Sequence, residues 1–165
     1  MIFHGDGQVA WKDLDKVTFL CPVPGYDRHF AMLEKLGIKM IPVPLEGDGP
    51  DLNAIENLLE TDETIKGIIC VPKHSNPTGE IFSKEKIEAL ASINKDGFKI
   101  IFDNAYAVHD FDNSKKLPDI EKIFIEKNSH DSLIMLGSTS KISLAGSGLA
   151  FISLSPNNMA NFVNY

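Results

Sequence analysis

Lys141 closes the run Ser138-Thr139-Ser140-Lys141, which follows an apolar, strand-like stretch from Ser132 to Gly137 and opens into a glycine-rich loop. An amine on a flexible stem at the mouth of a sheet is placed to form an imine with a carbonyl compound and later to carry a proton. Lysine offers this and arginine does not. Further groups stand upstream. Asp103 ends the run Lys99-Ile100-Ile101-Phe102, which sets its carboxylate at the carboxyl edge of a sheet, where open α/β folds bind ligands. Tyr106 follows shortly after it. Asn76 sits in His74-Ser75-Asn76-Pro77-Thr78-Gly79, a segment that proline and glycine turn tightly. Taken singly, each has a plainer reading: Lys141 as a solvated surface lysine, Asp103 and Tyr106 as a loop acid and a half-buried phenol, Asn76 as an ordinary turn residue.

The elements that must hold these groups follow from the apolar pattern. From Val17 to Ile152, short apolar runs alternate with helix-period segments, the signature of an α/β fold with a mainly parallel sheet and helices on its faces, a three-layer αβα arrangement. The expected strands are Val17 to Cys21, Lys39 to Val43, Ile65 to Val71, Lys99 to Asp103, Ser132 to Leu136 and Leu149 to Ser153. Phe30, Leu33 and Leu36 predict a helix that stops at Gly37. Asp51 to Glu60 predicts a second, capped by Asp51, with Leu52, Ile55, Leu58 and Leu59 as its stripe. Ser83 caps a third with the stripe Ile87, Leu90, Ala91 and Ile93; Leu117 to Lys127 makes a fourth, and Pro156 opens a last one. The polar segment Asp110 to Lys116 reads as a surface loop.

A chain of 165 residues supports one ordinary core. With 16 basic against 23 acidic side chains and a net charge of -7, it has no cluster suited to a nucleic acid backbone. No apolar run approaches the roughly 18 residues of a membrane span, and the amino terminus shows no leader pattern. The two cysteines, Cys21 and Cys70, lie in or beside apolar runs and read as small buried side chains in a reduced, cytoplasmic setting.

Lys141, Asp103, Tyr106 and Asn76, in this chain order, resemble the pyridoxal 5'-phosphate site of the fold-type I aminotransferases. The stretch Gly137-Ser138-Thr139-Ser140-Lys141-Ile142 with Ala145-Gly146 is similar to a divergent aspartate-type subgroup, as is Cys21-Pro22-Val23-Pro24-Gly25-Tyr26-Asp27-Arg28-His29-Phe30. The resemblance implies amino transfer between an amino acid and a 2-oxo acid, in a homodimer. Lys141 would form the imine with the cofactor and then act as general base, activated by burial and cationic surroundings. Asp103 would face the ring nitrogen, where a carboxylate and a pyridinium about 4 Å apart gain about 4 kcal/mol at an effective dielectric of 20. Tyr106 would donate to the ring's phenolic oxygen, and the turn would hold Asn76 toward the sheet edge. Tyr26 would cover one ring face, His29 would hydrogen-bond Asp103, and Ser138 with Ser140 would bind the phosphate.

The sequence also departs from that pattern. Many relatives place an arginine about eight residues beyond the lysine to clamp the phosphate; this chain has Ile142-Ser143-Leu144-Ala145-Gly146-Ser147-Gly148-Leu149 there, and its one arginine is Arg28. His4-Gly5-Asp6-Gly7-Gln8 does not match the family's N-terminal phosphate loop, and the small domain that the resemblance implies is expected to lie outside residues 1–165. The expectation is therefore a single partial domain, residues 1–165, from the middle of the cofactor-binding large domain and inactive alone. A non-catalytic α/β remnant that serves association is the alternative, and a pyridoxal-phosphate lyase is a lesser one. Ser138-Thr139-Ser140-Lys141 also fits the S-x-x-K of penicillin-binding serine enzymes, but their Lys-Thr-Gly companion is missing from the sequence.

Overall fold

The computed structural model describes residues 9–106, 108–110, 116–142 and 146–163. Among these, six strands form one sheet: β1 (Thr18–Val23), β2 (Lys39–Pro44), β3 (Ile65–Cys70), β4 (Lys99–Asp103), β5 (Leu133–Ser138) and β6 (Ala150–Leu154). Their spatial order is β2-β1-β3-β4-β5-β6. The pairs from β2 through β5 are parallel, and β6 joins β5 antiparallel. The helices are α1 (Asp27–Lys35), α2 (Leu52–Thr61), α3 (Lys84–Ala91), α4 (Ile120–Glu126) and α5 (Pro156–Val163).

Central strands of a parallel sheet are apolar on both faces because helices cover both, and the core divides accordingly. Leu20, Ile68, Cys70, Ile100 and Phe102 belong to the larger cluster, with Ile55 of α2, Ile87 and Leu90 of α3, and Ile123 and Phe124 of α4. The alternate positions Phe19, Cys21 and Ile69 pack with Leu33 of α1 on the other face. Edge-to-face contacts chain Phe82 to Phe102 at 6.4 Å and Phe102 to Phe124 at 6.1 Å, fixing the sheet against its helices. Gly67 lets β1 and β4 close on β3: a methyl group there would sit 2.6 Å from both the Lys99 carbonyl oxygen and the Phe19 ring.

The caps lie where the sequence puts them. Asp51 accepts the Ala54 N–H at 3.0 Å, and Ser83 accepts that of Lys86 at 3.2 Å. For α4 the cap is Asp119, so the helix starts later than Leu117. Leu36 is exposed rather than packed, because α1 ends at Lys35 and the chain turns its side chain off the buried face. Ile93 likewise lies past the end of α3, though it still packs against the core. Cys21 and Cys70 are free and buried. Burial pushes the Cys21 thiol up to about 12 and raises that of Cys70 as well, so both remain thiols at neutral pH. No helix among the described residues is long and apolar enough to cross a membrane.

Candidate functional site

Parallel strands end together, and the sheet order sets the carboxyl ends of β1, β3, β4 and β5 side by side. Tyr26 lies just beyond β1, Asn76 beyond β3, Asp103 at the last position of β4, and Ser138 at the last of β5. All four line a cavity of about 230 Å³ together with Tyr106, Ser140 and Lys141. Val71 and Ala105 complete its wall. The sequence reading did not single out those two, because small apolar walls carry no distinguishing residue type.

His29, in the first turn of α1, is buried, and its Nε2–H donates to Asp103 Oδ2 at 2.8 Å. A carboxylate only accepts, so the bond fixes which ring nitrogen carries the proton and aims the other oxygen. That oxygen, Oδ1, accepts the Ala105 N–H at 3.2 Å. Tyr26 meets the His29 ring edge-on, with centroids 5.2 Å apart. The acid is thus held from the helix side and from its own loop, and about a quarter of its side chain still faces outward.

Lys141 follows β5 by three positions, and its Nζ stands 6.0 Å from the centroid of the Tyr106 ring, within cation–π range. Among the described residues it is exposed at the cavity mouth, beside an aromatic ring. The turn before it is ordered by its own hydroxyls. The Ser138 hydroxyl donates to Ser140 Oγ at 2.8 Å, the Ser140 N–H donates to Ser138 Oγ at 3.0 Å, and Thr139 Oγ1 accepts the Leu149 N–H at 2.8 Å. The continuation Ser143 to Ala145 and the segment His4 to Gln8 lie outside the described residues, as does most of the loop expected at Asp110 to Lys116.

The Asn76 turn is closed by Gly79, whose φ of +75° is open to glycine and whose N–H donates to the Ser75 carbonyl. Two contacts missed by sequence reasoning lock this turn to the Tyr106 loop. The buried Lys73 pairs with Asp110 at 2.8 Å, and His74 Nε2–H donates to the His109 carbonyl at 2.7 Å. A larger cavity of about 420 Å³ lies around Lys99, Asp131 and Asn158, at the opposite ends of β4 and β5. Its buried groups satisfy one another: Lys99 Nζ and Asn158 Nδ2 both donate to the Asp131 carbonyl at 2.8 Å. The smaller cavity is the one that gathers an amine, an acid, an amide and two phenols.

Comparison with known proteins gives this geometry a context. A family model described as aspartate amino-transferase matches residues 1–165. A Mycolicibacterium smegmatis chain, whose name marks it as a candidate aminotransferase, is 42% identical over 99% of this chain and 40% of its own length. The aspartate aminotransferase of Corynebacterium glutamicum is 37% identical over 94% of this chain and 36% of its own. The crystal structure of an aspartate transaminase from Corynebacterium glutamicum superposes with a TM-score of 0.88 at 36% identity, covering 93% of this chain and 37% of that one. The alpha-aminoadipate aminotransferase of Thermus thermophilus, complexed with N-(5'-phosphopyridoxyl)-L-leucine, gives 0.78 at 25% identity over 90% of this chain and 38% of that one. The chain thus spans about 40% of the length of the first of these relatives.

Proposed function

Because this chain belongs to the aspartate aminotransferase family, we propose that it is the central part of the large domain of a pyridoxal 5'-phosphate-dependent aminotransferase. The whole protein moves an amino group from an amino acid to a 2-oxo acid. The observation that carries this reading is the convergence of Lys141, Asp103, Asn76 and Tyr106 on one cavity, with Asp103 clasped by His29 at 2.8 Å.

The donor set fits the cofactor's ring. Asp103 would stabilise a protonated ring nitrogen, Tyr106 and Asn76 would bond the ring's oxygen, and Tyr26 would cover a face. Ser138 and Ser140, whose hydroxyls now bond each other, are free to turn toward a phosphate. No arginine lines the cavity, so the remaining phosphate ligands come from the rest of the protein. The bound cofactor supplies an electron sink conjugated to the substrate's Cα.

The chain's own residues do the remaining work. Asp103, held by His29, keeps negative charge beside the sink. Val71 and Ala105 exclude water from one wall. Lys141, on a flexible stem at the mouth, would be the group that holds and carries the proton released from the substrate's Cα. This chain spans about 40% of the length of the relative it matches, and the rest of the whole protein would complete the site.

The same reading makes the whole protein a homodimer, so a monomer by light scattering at high concentration contradicts that part. It also places the protein in the cytoplasm, consistent with two free, buried cysteines. The test is a half-reaction. Full-length protein carrying bound cofactor, mixed with single amino acids, loses its visible band with at least one of them and regains it on addition of a 2-oxo acid. A band that no amino acid alters contradicts the proposal.

A further inference from the structure

We infer that His109 is a positioning residue for Lys141: its ring ties the lysine loop to the loop carrying Tyr106, so that amine and phenol keep one relative placement. The inference rests on the reading of the site proposed above. His109 closes a short turn after Tyr106, donating its N–H to the Tyr106 carbonyl at 3.1 Å. Its ring packs edge-on against the Tyr106 ring, centroids 5.6 Å apart at 70°. Its Nε2 lies 3.2 Å from the Lys141 carbonyl oxygen. A carbonyl only accepts, so Nε2 carries a proton and donates it. Nδ1 is buried and has no hydrogen-bond partner among the described residues. The Lys141 carbonyl is therefore the ring's one polar anchor there.

The backbone of His109 is fastened as firmly as its ring. Its carbonyl accepts from His74 Nε2 at 2.7 Å, and the next residue, Asp110, pairs with the buried Lys73 at 2.8 Å. His74 itself is held at φ 51°, a left-handed conformation that a non-glycine residue keeps only when its surroundings insist on it. His109 thus joins the Asn76 turn, the Tyr106 loop and the Lys141 loop. A catalytic amine displaced by about 1 Å loses much of its advantage, because reacting atoms must approach in near-attack geometry. His109 lies outside the cavity wall, so its effect reaches the chemistry through Lys141 and Tyr106.

Two substitutions in the full-length protein separate tethering from mere packing. His109→Gln brings an amide N–H close to the position of Nε2 without the ring, whereas His109→Phe keeps the ring and loses the donor. Pyridoxal 5'-phosphate is titrated against each, following the visible absorbance and the circular dichroism of the same band. We expect His109→Phe to bind roughly fivefold more weakly, the worth of one net hydrogen bond, with a reduced dichroic signal at unchanged melting temperature. His109→Gln should stay within about twofold of the parent, because it keeps the donor. His109→Asn, whose amide is too short to reach, gives the same contrast as the phenylalanine variant should that one not fold. Parent-like binding and dichroism in His109→Phe, or equal impairment of the glutamine and phenylalanine variants, overturns the inference. A parent protein that develops no visible band overturns the reading of the site itself, a distinct outcome.

Discussion

Asp103 Oδ2 accepts the His29 Nε2–H at 2.8 Å while its other oxygen accepts the Ala105 N–H, so its charge is fixed in direction at the cavity wall. Substituting Asp103→Asn removes that charge and keeps the shape. A pair of unit charges about 4 Å apart is worth about 4 kcal/mol at a dielectric of 20, and the outward-facing part of the side chain is screened. We therefore predict a fall in kcat of the full-length holoenzyme between about a hundredfold and a thousandfold. Loss of less than about tenfold contradicts the role given to Asp103. At this scale much of the lining of the candidate cavity was legible. Lys141, Asp103, Tyr106 and Asn76 are chemical residue types at the ends of apolar runs, and strand ends are where a parallel sheet brings distant residues together. His109 and the Lys73–Asp110 pair were not legible, because their partners lie across loops whose path no local pattern encodes.

Strands and helices came through from periodicity, with some ends exact, as in β4, and others displaced by up to three residues. Periodicity reports burial, whereas the ends of elements are set by hydrogen bonding. Thus Asp119 rather than Leu117 fixes the start of α4, since its carboxylate accepts the Lys122 N–H at 3.1 Å. The Gly67 contact could not be foreseen, because the approach of Phe19 and Lys99 to one Cα is a property of sheet packing. Gly67→Ala forces the backbone of β3 away from its neighbours and should destabilise the fold by about 1–3 kcal/mol, read as a lower urea midpoint. An unchanged midpoint contradicts that packing. Asp131, just before β5, gives a pH-dependent counterpart. Hydrogen bonds from Ser155 and then Asn157 hold its carboxyl below the usual range. A lowered folded-state pKa stabilises fully above the unfolded value of about 4, and the gain is lost as pH falls through the lowered value. Asp131→Asn should therefore melt earlier than the parent at neutral pH, with the gap narrowing in acid. A gap that widens below about pH 4 contradicts the assignment.

At the scale of the molecule, β6 is an edge of the sheet among the described residues, with Phe151 on it and Leu149 just before it more than half exposed. An unpaired apolar edge invites association, so the 165-residue chain expressed alone should show mass rising with concentration by light scattering. Phe151→Lys should reduce that rise, and an unaltered profile contradicts a role for this edge. The larger picture is one of distant segments meeting: α1 supplies His29, the turn after β3 supplies Asn76, β4 and its loop supply Asp103 and Tyr106, and the turn after β5 supplies Lys141. Parallel topology makes this meeting possible, and order along the chain alone could suggest it without giving a distance. The most direct test adds pyridoxal 5'-phosphate to the full-length protein, traps any imine with borohydride and maps the adduct by mass spectrometry. The expected result is modification of Lys141, abolished in Lys141→Ala together with the visible band. Stoichiometric labelling of some other lysine, or of none, contradicts the central claim.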